Sequence, residues 1–260
     1  MFLQTHHAFG SRFLPQARDI TVYLPSSYLM DETRRWPVLY LHDGQNLFDG
    51  AEAFIPGQSW RVHETAEGLA QSGHSTPLII VGIHNTGPAR LNEYTPTVYK
   101  GRGGQAKIYG RFLVEELKPF IDATYRTLPQ REATGLGGSS LGGLVTLHLG
   151  LQWPEIFSRL AVMSPSVWWD RGYILRQVAG LSWQPPLRIW LDIGTSEGFH
   201  ARRQARQLRD VLKQRGWRPR ADLQYHEARH GRHDETSWGQ RFDQVLRFLY
   251  PSGPEHQAPA

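Results

Sequence analysis

The strongest chemical signature lies at mid-chain, in Gly135-Leu136-Gly137-Gly138-Ser139-Ser140-Leu141-Gly142-Gly143, which reads G-x-S-x-G about Ser140. A serine acts as a nucleophile when its hydroxyl stands clear of the fold and a base can take its proton. A sharp strand-to-helix turn achieves the first, at the cost of strained backbone angles. Glycines at the two flanking positions, Gly138 and Gly142, keep side chains from colliding across so tight a turn. Plain loops also contain this string. It gains meaning from a strand before it, a helix after it, and then an acid and a histidine, in that chain order.

The downstream sequence supplies both. Residues 187–193 form an apolar run of strand character, followed by the loop Gly194-Thr195-Ser196-Glu197-Gly198, so Glu197 is the candidate acid. Asp192, inside the strand, is the alternative and suits a structural hydrogen bond. The segment His226-Glu227-Ala228-Arg229-His230-Gly231-Arg232-His233-Asp234-Glu235 holds three histidines. His226 falls in a strand-like run and His230 at its end. His233 follows Gly231 in a loop that can swing over the sheet edge toward Ser140, which makes it the candidate base. His6, His7, His63, His74, His148 and His200 read as surface or structural groups.

An acyl-transfer site also needs donors for the oxyanion. The backbone N–H of Leu141, at the positive end of its helix, is the first candidate. Gln45 is the second, with Gly44 as the alternative, in the turn His42-Asp43-Gly44-Gln45-Asn46 that follows a buried-strand run at 37–41. His42 and Asp43 precede the serine, which is the wrong order for a proton relay, and read as support for that turn. Trp168, Trp169 and the long loop Asn85–Gln105, which carries Arg90 and Arg102, are candidates for the substrate-pocket walls. Core packing is an equally weighted reading of the tryptophans, and Arg90 would suit an anionic or catechol-bearing ester.

Two strings point elsewhere. His226-Glu227-Ala228-Arg229-His230 is a literal H-E-x-x-H, which binds zinc when a helix brings residues i and i+4 to one metal. Here it begins in a strand, where such residues stand ~13 Å apart, and Glu255 is the one late third ligand. Gly135-Leu136-Gly137 resembles the start of a dinucleotide fingerprint, but its third glycine position is Ser140.

Elements of alternating type must position these groups. Residues 20–24 read as an early antiparallel strand. The runs at 37–41, 78–83, 133–137, 160–164, 187–193 and 223–227 read as further strands. Residues 107–125 have helical spacing with Pro119 marking a kink or new start, and helices follow at 141–152, across the arginine-rich 201–220 stretch and at 238–250. The pattern predicts an α/β fold: a mostly parallel central sheet with helices on both faces, one domain over 1–250, no large lid, and a flexible tail at 251–260.

Bulk properties narrow the rest. The chain has 260 residues, a formal charge of +5 and no cysteine, which excludes disulfides, thiol catalysis and thiolate metal sites. The arginine excess falls on the solvated face of an amphipathic helix, so no nucleic-acid partner is expected. No apolar run approaches the ~20 residues of a membrane span, no signal peptide stands out, and a cytoplasmic location is expected.

Five ordered motifs carry a family resemblance: Leu41-His42-Asp43-Gly44-Gln45-Asn46-Leu47-Phe48-Asp49, Asn92-Glu93-Tyr94-Thr95-Pro96, Gly138-Ser139-Ser140-Leu141-Gly142-Gly143, Ser164-Pro165-Ser166-Val167-Trp168-Trp169 and His233-Asp234-Glu235-Thr236-Ser237-Trp238. Between about residues 19 and 250 the chain resembles the putative esterase (esterase D-like) family of α/β-hydrolases, near the hydrolases related to enterobactin esterases. The resemblance implies Ser140 as nucleophile, His233 as base and an acid near Glu197. Relatives commonly carry aspartate at that position, and some siderophore esterases work without a clear acid. Their substrates span siderophore, feruloyl, acetyl-sugar and glutathione thioester compounds. The resulting expectation is a serine carboxylic-ester hydrolase acting through an acyl-enzyme on small or aryl esters. It would need no cofactor and no metal, and its partner would be a small-molecule ester, with no membrane partner. Acyl transfer on the same fold, zinc proteolysis and a non-catalytic binding module are the alternatives.

Overall fold

Eight strands form one sheet in the computed structural model, which describes residues 2–51 and 53–253. In chain order they are β1 (Phe2–Phe9), β2 (Arg18–Leu24), β3 (Val38–His42), β4 (Ile79–Ile83), β5 (Thr134–Ser139), β6 (Arg159–Met163), β7 (Arg188–Gly194) and β8 (Leu223–Ala228). They lie side by side as β1-β2-β4-β3-β5-β6-β7-β8. From β4 to β8 every neighbouring pair is parallel, whereas β2 is antiparallel to both β1 and β4. This is the α/β-hydrolase fold.

The sequence of the central strands explains the layering. β3, β4, β5 and β6 are buried along their whole length, as strands covered on both faces must be. Alternate residues feed two separate cores. Val38, Tyr40, Leu160 and Val162 pack into one with the helices at Ala106–Phe112, Leu141–Gln152 and Phe199–Gln214. Leu39, Leu41, Ala161 and Met163 pack into the other with Val62–Gln71 and Phe242–Leu249. The helix at Leu141–Gln152 is buried over all but its last residue, so the residue before it is held from both sides.

Three local outcomes correct or refine the sequence pattern. The first strand, Phe2–Phe9, lies almost wholly exposed at the sheet edge. Pro119 marks a new start, as one of the two expected outcomes has it. A π-helical stretch, Leu113–Leu117, joins Ala106–Phe112 to Lys118–Thr124, and the proline falls in the first turn of that last helix, where a missing N–H is tolerated. The C-terminal helix is two pieces, Glu235–Gly239 and Phe242–Leu249. Of the expected tail, 254–260 lies outside the described residues. Among the described residues, no helix is long and apolar enough to cross a membrane.

His226 and Glu227 of the H-E-x-x-H string lie on β8, not on a helix. Glu227 is taken by Arg206 at 2.7 and 2.8 Å, and His230 sits in a turn with φ 60°. Among the described residues, no group of three or more His, Cys, Asp or Glu is placed to hold a metal ion.

Candidate active site

β5 ends at Ser139 and the next helix begins at Leu141, so the turn between them is the single residue Ser140. Ser140 takes φ 58° and ψ −120°, a region that L residues avoid and that surrounding structure must enforce. The enforcement is visible. Its N–H donates to the Met163 carbonyl at 3.0 Å, and its carbonyl accepts the Ser166 N–H at 2.9 Å. A Cβ added at Gly138 would lie 3.0 Å from His42 Cδ2 and 3.1 Å from the Gly142 carbonyl carbon. At Gly142 the nearest atom would be at 3.4 Å, an ordinary contact, whereas at Gly143 it would be the Met163 oxygen at 2.7 Å. The close approach expected of Gly142 therefore falls on Gly143, where the helix presses on the end of β6.

The structure brings the three distant candidates together. His233 Nε2 is 3.0 Å from Ser140 Oγ, and His233 Nδ1 is 2.7 Å from Glu197 Oε2. With the carboxylate on Nδ1, the neutral ring carries its proton there and Nε2 can accept from the serine; this tautomer follows from the partners. The ring stands edge-on to Trp238, with centroids 4.9 Å apart at 79°. Ser140 Oγ has a second neighbour in Ser166 Oγ, at 3.4 Å.

The Glu197 side chain is buried and its other oxygen is fixed. Oε1 accepts the Ser164 hydroxyl at 2.6 Å and the Gly194 N–H at 2.8 Å. Asp192, the alternative acid, is fully buried, and both its oxygens are engaged elsewhere. Oδ1 accepts the Ser164 N–H at 3.1 Å and the Arg241 guanidinium at 3.0 Å, while Oδ2 accepts the Trp190 indole N–H at 2.8 Å. Ser164 links the two carboxylates, with φ 39°, and its hydroxyl also accepts from Trp238 at 3.1 Å and Arg241 at 2.7 Å. Asp192 thus has the structural role that its place inside a strand suggests, and Glu197 meets the histidine.

The turn after β3 closes the other side. Asp43 adopts a left-handed conformation, φ 60° and ψ 48°, and Gly44–Asn46 form a single 3-10 turn whose first bond runs from Asn46 N–H to the Asp43 carbonyl. The Gln45 N–H precedes that bond, and the Leu141 N–H opens its own helix, so neither has an acceptor within its helix. Arg90 binds Asp43 with both arms, at 2.7 Å each, and Asn85 adds a third bond at 2.7 Å. Burial alone would raise the Asp43 pKa; the Arg90 charge and hydrogen bonds, with Asn85, reverse that and hold it below the usual carboxylate range. His42 is buried beneath Gly138, bonded to the Tyr109 hydroxyl at 2.9 Å, and burial pushes its pKa down to about 3. It is a neutral, packed group, in keeping with support of the turn.

A cleft of about 510 Å³ opens over Ser140 and His233. Gln45 and Arg90 line it, with Asn85, Phe54, Glu235 and Trp238. Trp168 and Trp169 are not among its lining residues. Trp169 is buried, donates its indole N–H to the Thr97 carbonyl at 3.2 Å and packs on Tyr99, which is the core-packing role. Trp168 is half exposed beside it. Arg90 reaches the cleft, but its guanidinium is committed to Asp43.

Sequence reasoning did not single out Glu235 or Asn46 as cleft residues, nor Ser164 and Arg241 behind the acid, whereas Asn85 opens the loop expected to form a wall and does line the cleft. Glu235 begins a short helix two residues after His233, so that helix must place it near the base. Its side chain is buried, Asn46 Nδ2 donates to Oε1 at 3.2 Å, and burial, reinforced by Asp43 and Asp234, raises its pKa.

Comparison with known proteins places the chain in a family and identifies its fold relatives. A family model described as "Putative esterase" matches residues 11–249. The "Uncharacterized protein YbbA" of Bacillus subtilis is 26% identical over 229 residues, covering 83% of each chain. The "Ferri-bacillibactin esterase BesA" of the same organism is 30% identical over 200 residues, or 68% of this chain and 66% of that one. Among solved structures, the BES protein from Bacillus cereus superposes with a TM-score of 0.74 at 22% identity, over 96% of this chain and 94% of that one; at that identity the likeness is one of fold.

Proposed function

The chain belongs to the Putative esterase family, and we propose that it is a serine carboxylic-ester hydrolase working through an acyl-enzyme on small or aryl esters. The observation that carries this reading is the hydrogen-bonded chain Ser140 Oγ–His233 Nε2–Glu197 Oε2, at 3.0 and 2.7 Å, at a strained turn on the floor of a cleft.

In this reading Ser140 Oγ attacks the ester carbonyl as His233 Nε2 takes its proton. Glu197 keeps the ring oriented and stabilises the imidazolium; it takes no proton itself. Charge builds on the former carbonyl oxygen, where the N–H groups of Leu141 and Gln45 receive it, aided by the positive end of the Leu141–Gln152 helix. The tetrahedral intermediate collapses, the alcohol leaves with the proton from His233, and Ser140 carries the acyl group. Water, deprotonated by His233, then releases the acid and restores the serine. All the proton transfers use groups of this chain. Burial of Glu197 and exposure of His233, whose side chain is 48% accessible, suit a base that must meet both substrate and water.

The acyl-enzyme is directly testable. Rapid mixing with p-nitrophenyl acetate is expected to release a burst of nitrophenol close to one equivalent of enzyme, with an acetyl adduct on the intact protein after acid quench. A methyl acetate-to-acetate ratio in added methanol that varied among acetyl esters with different leaving groups, or activity lost on chelation, would rule the mechanism out.

A further inference from the structure

We infer that the Ser140 cleft takes uncharged esters and turns away anionic ones, a selectivity set by Glu235 together with the closed Asp43–Arg90 pair. The inference rests on the ester-hydrolase reading and goes beyond it to the class of substrate.

The argument is one of charge accounting within a single cleft. Among the described residues that line it, Arg90 is the one lysine or arginine. An arginine in a binding wall ordinarily invites a carboxylate or phosphate. Here both arms of the guanidinium are already on Asp43, at 2.7 Å each, and the group lies over the Tyr94 ring, 5.1 Å from its centroid. Asp43 is buried and takes Asn85 as a further donor, so one positive and one negative charge cancel inside the wall. An incoming anion would have to displace a carboxylate held by three bonds.

Glu235 then tips the balance. Its carboxyl lines the same cleft, and the group it meets is the neutral Asn46 amide at 3.2 Å. Asp43 and Asp234 stand near enough to disfavour its negative charge, while His233 and Arg90 feel it in the opposite sense. A substrate carboxylate would add another negative charge to a partly desolvated wall, where like charges several ångströms apart are strongly felt. Arg232, next to His233 in the chain, is exposed and outside the lining. The other polar walls are the uncharged amides of Gln45, Asn46 and Asn85, and the mouth carries the apolar Phe54 and Ile55. Such a surface favours a neutral molecule with hydrogen-bonding and apolar parts, and it uses a fixed like charge to reject the ionised analogue.

The test compares two esters of equal chain length: mono-4-nitrophenyl adipate, which carries a free carboxylate at pH 8, and its methyl ester, which is neutral. The wild-type protein is expected to favour the methyl ester in kcat/KM by roughly tenfold or more. Glu235→Gln removes the like charge and is expected to shrink that ratio severalfold, whatever it does to the absolute rates. Asp43→Asn frees the Arg90 guanidinium and is expected to shift the ratio further toward the anion; if that variant does not fold, Glu235→Gln decides alone. Equal rates on both esters in the wild type, or a ratio unchanged in Glu235→Gln, would overturn the inference while leaving ester hydrolysis standing. No turnover of either ester would overturn the ester-hydrolase reading and the inference with it.

Discussion

Replacing Ser140 with alanine is expected to lower kcat for p-nitrophenyl acetate by roughly 10⁴-fold or more, with KM little changed and the protein still folded. The loss is large because the nucleophile, base and acid act as one unit: without Oγ, neither His233 nor Glu197 has a reacting atom to serve. Oxyanion donors and binding alone leave a small residual rate. Stability should hardly move. Alanine meets the same φ of 58° that serine already tolerates at this turn, and the two backbone bonds to Met163 and Ser166 do not involve the side chain. The lost side-chain contacts are the half-exposed His233 and the long 3.4 Å approach to Ser166. Thermal unfolding by circular dichroism, recorded beside the assay, separates lost chemistry from lost fold.

The second large effect distinguishes the two candidate acids by opposite signatures. Glu197→Gln is expected to lower kcat about 10³- to 10⁴-fold, because an amide facing Nδ1 neither fixes the required tautomer nor stabilises the imidazolium. Its stability cost should be modest, since an amide oxygen can still accept from Ser164 and Gly194. Asp192→Asn should do the reverse. An amide cannot accept at both positions, so either the Trp190 indole or the Ser164–Arg241 side faces an N–H₂ group, and the Arg241 charge loses its closest carboxylate. Leaving a buried charge without its partner costs about 3–5 kcal/mol; here Glu197 Oε1 stays 3.6 Å from the Arg241 guanidinium, so the cost falls below that range, and kcat per folded molecule should stay within tenfold of wild type. Should Asp192→Asn abolish kcat at unchanged melting temperature while Glu197→Gln remains active, the roles proposed for the two acids would be exchanged.

The parts of this site that the sequence displays are those encoded locally. Ser140 announces itself through a glycine-rich turn between two recognisable elements, and Glu197 and His233 each sit in a loop just past a strand. The sheet was readable for the same reason: the runs at β3, β4 and β6 are apolar on both faces, which only central strands require. The exceptions depend on contacts across long chain separations. Phe2–Phe9 neither alternates nor buries a face, so nothing local marks it as a strand; pairing with β2 creates it. The tightness at Gly143 comes from the end of β6, and no local rule separates it from Gly142. Arg90 looked like an anion receptor because its partner, Asp43, lies 47 residues earlier. Arg241, Ser164 and Asp192 form one buried network from three segments, and only the fold brings them behind Glu197.

The central claim is that one particular hydroxyl, that of Ser140, does the chemistry. A fluorophosphonate of broad serine-hydrolase reactivity, followed by peptide mapping in a mass spectrometer, tests it most directly. The expected result is one label per chain on Ser140, with ester hydrolysis lost in proportion to labelling and the label absent in His233→Ala over the same interval. Full ester hydrolysis persisting in a chain stoichiometrically labelled at Ser140, or inactivating label on any other residue, would contradict the account.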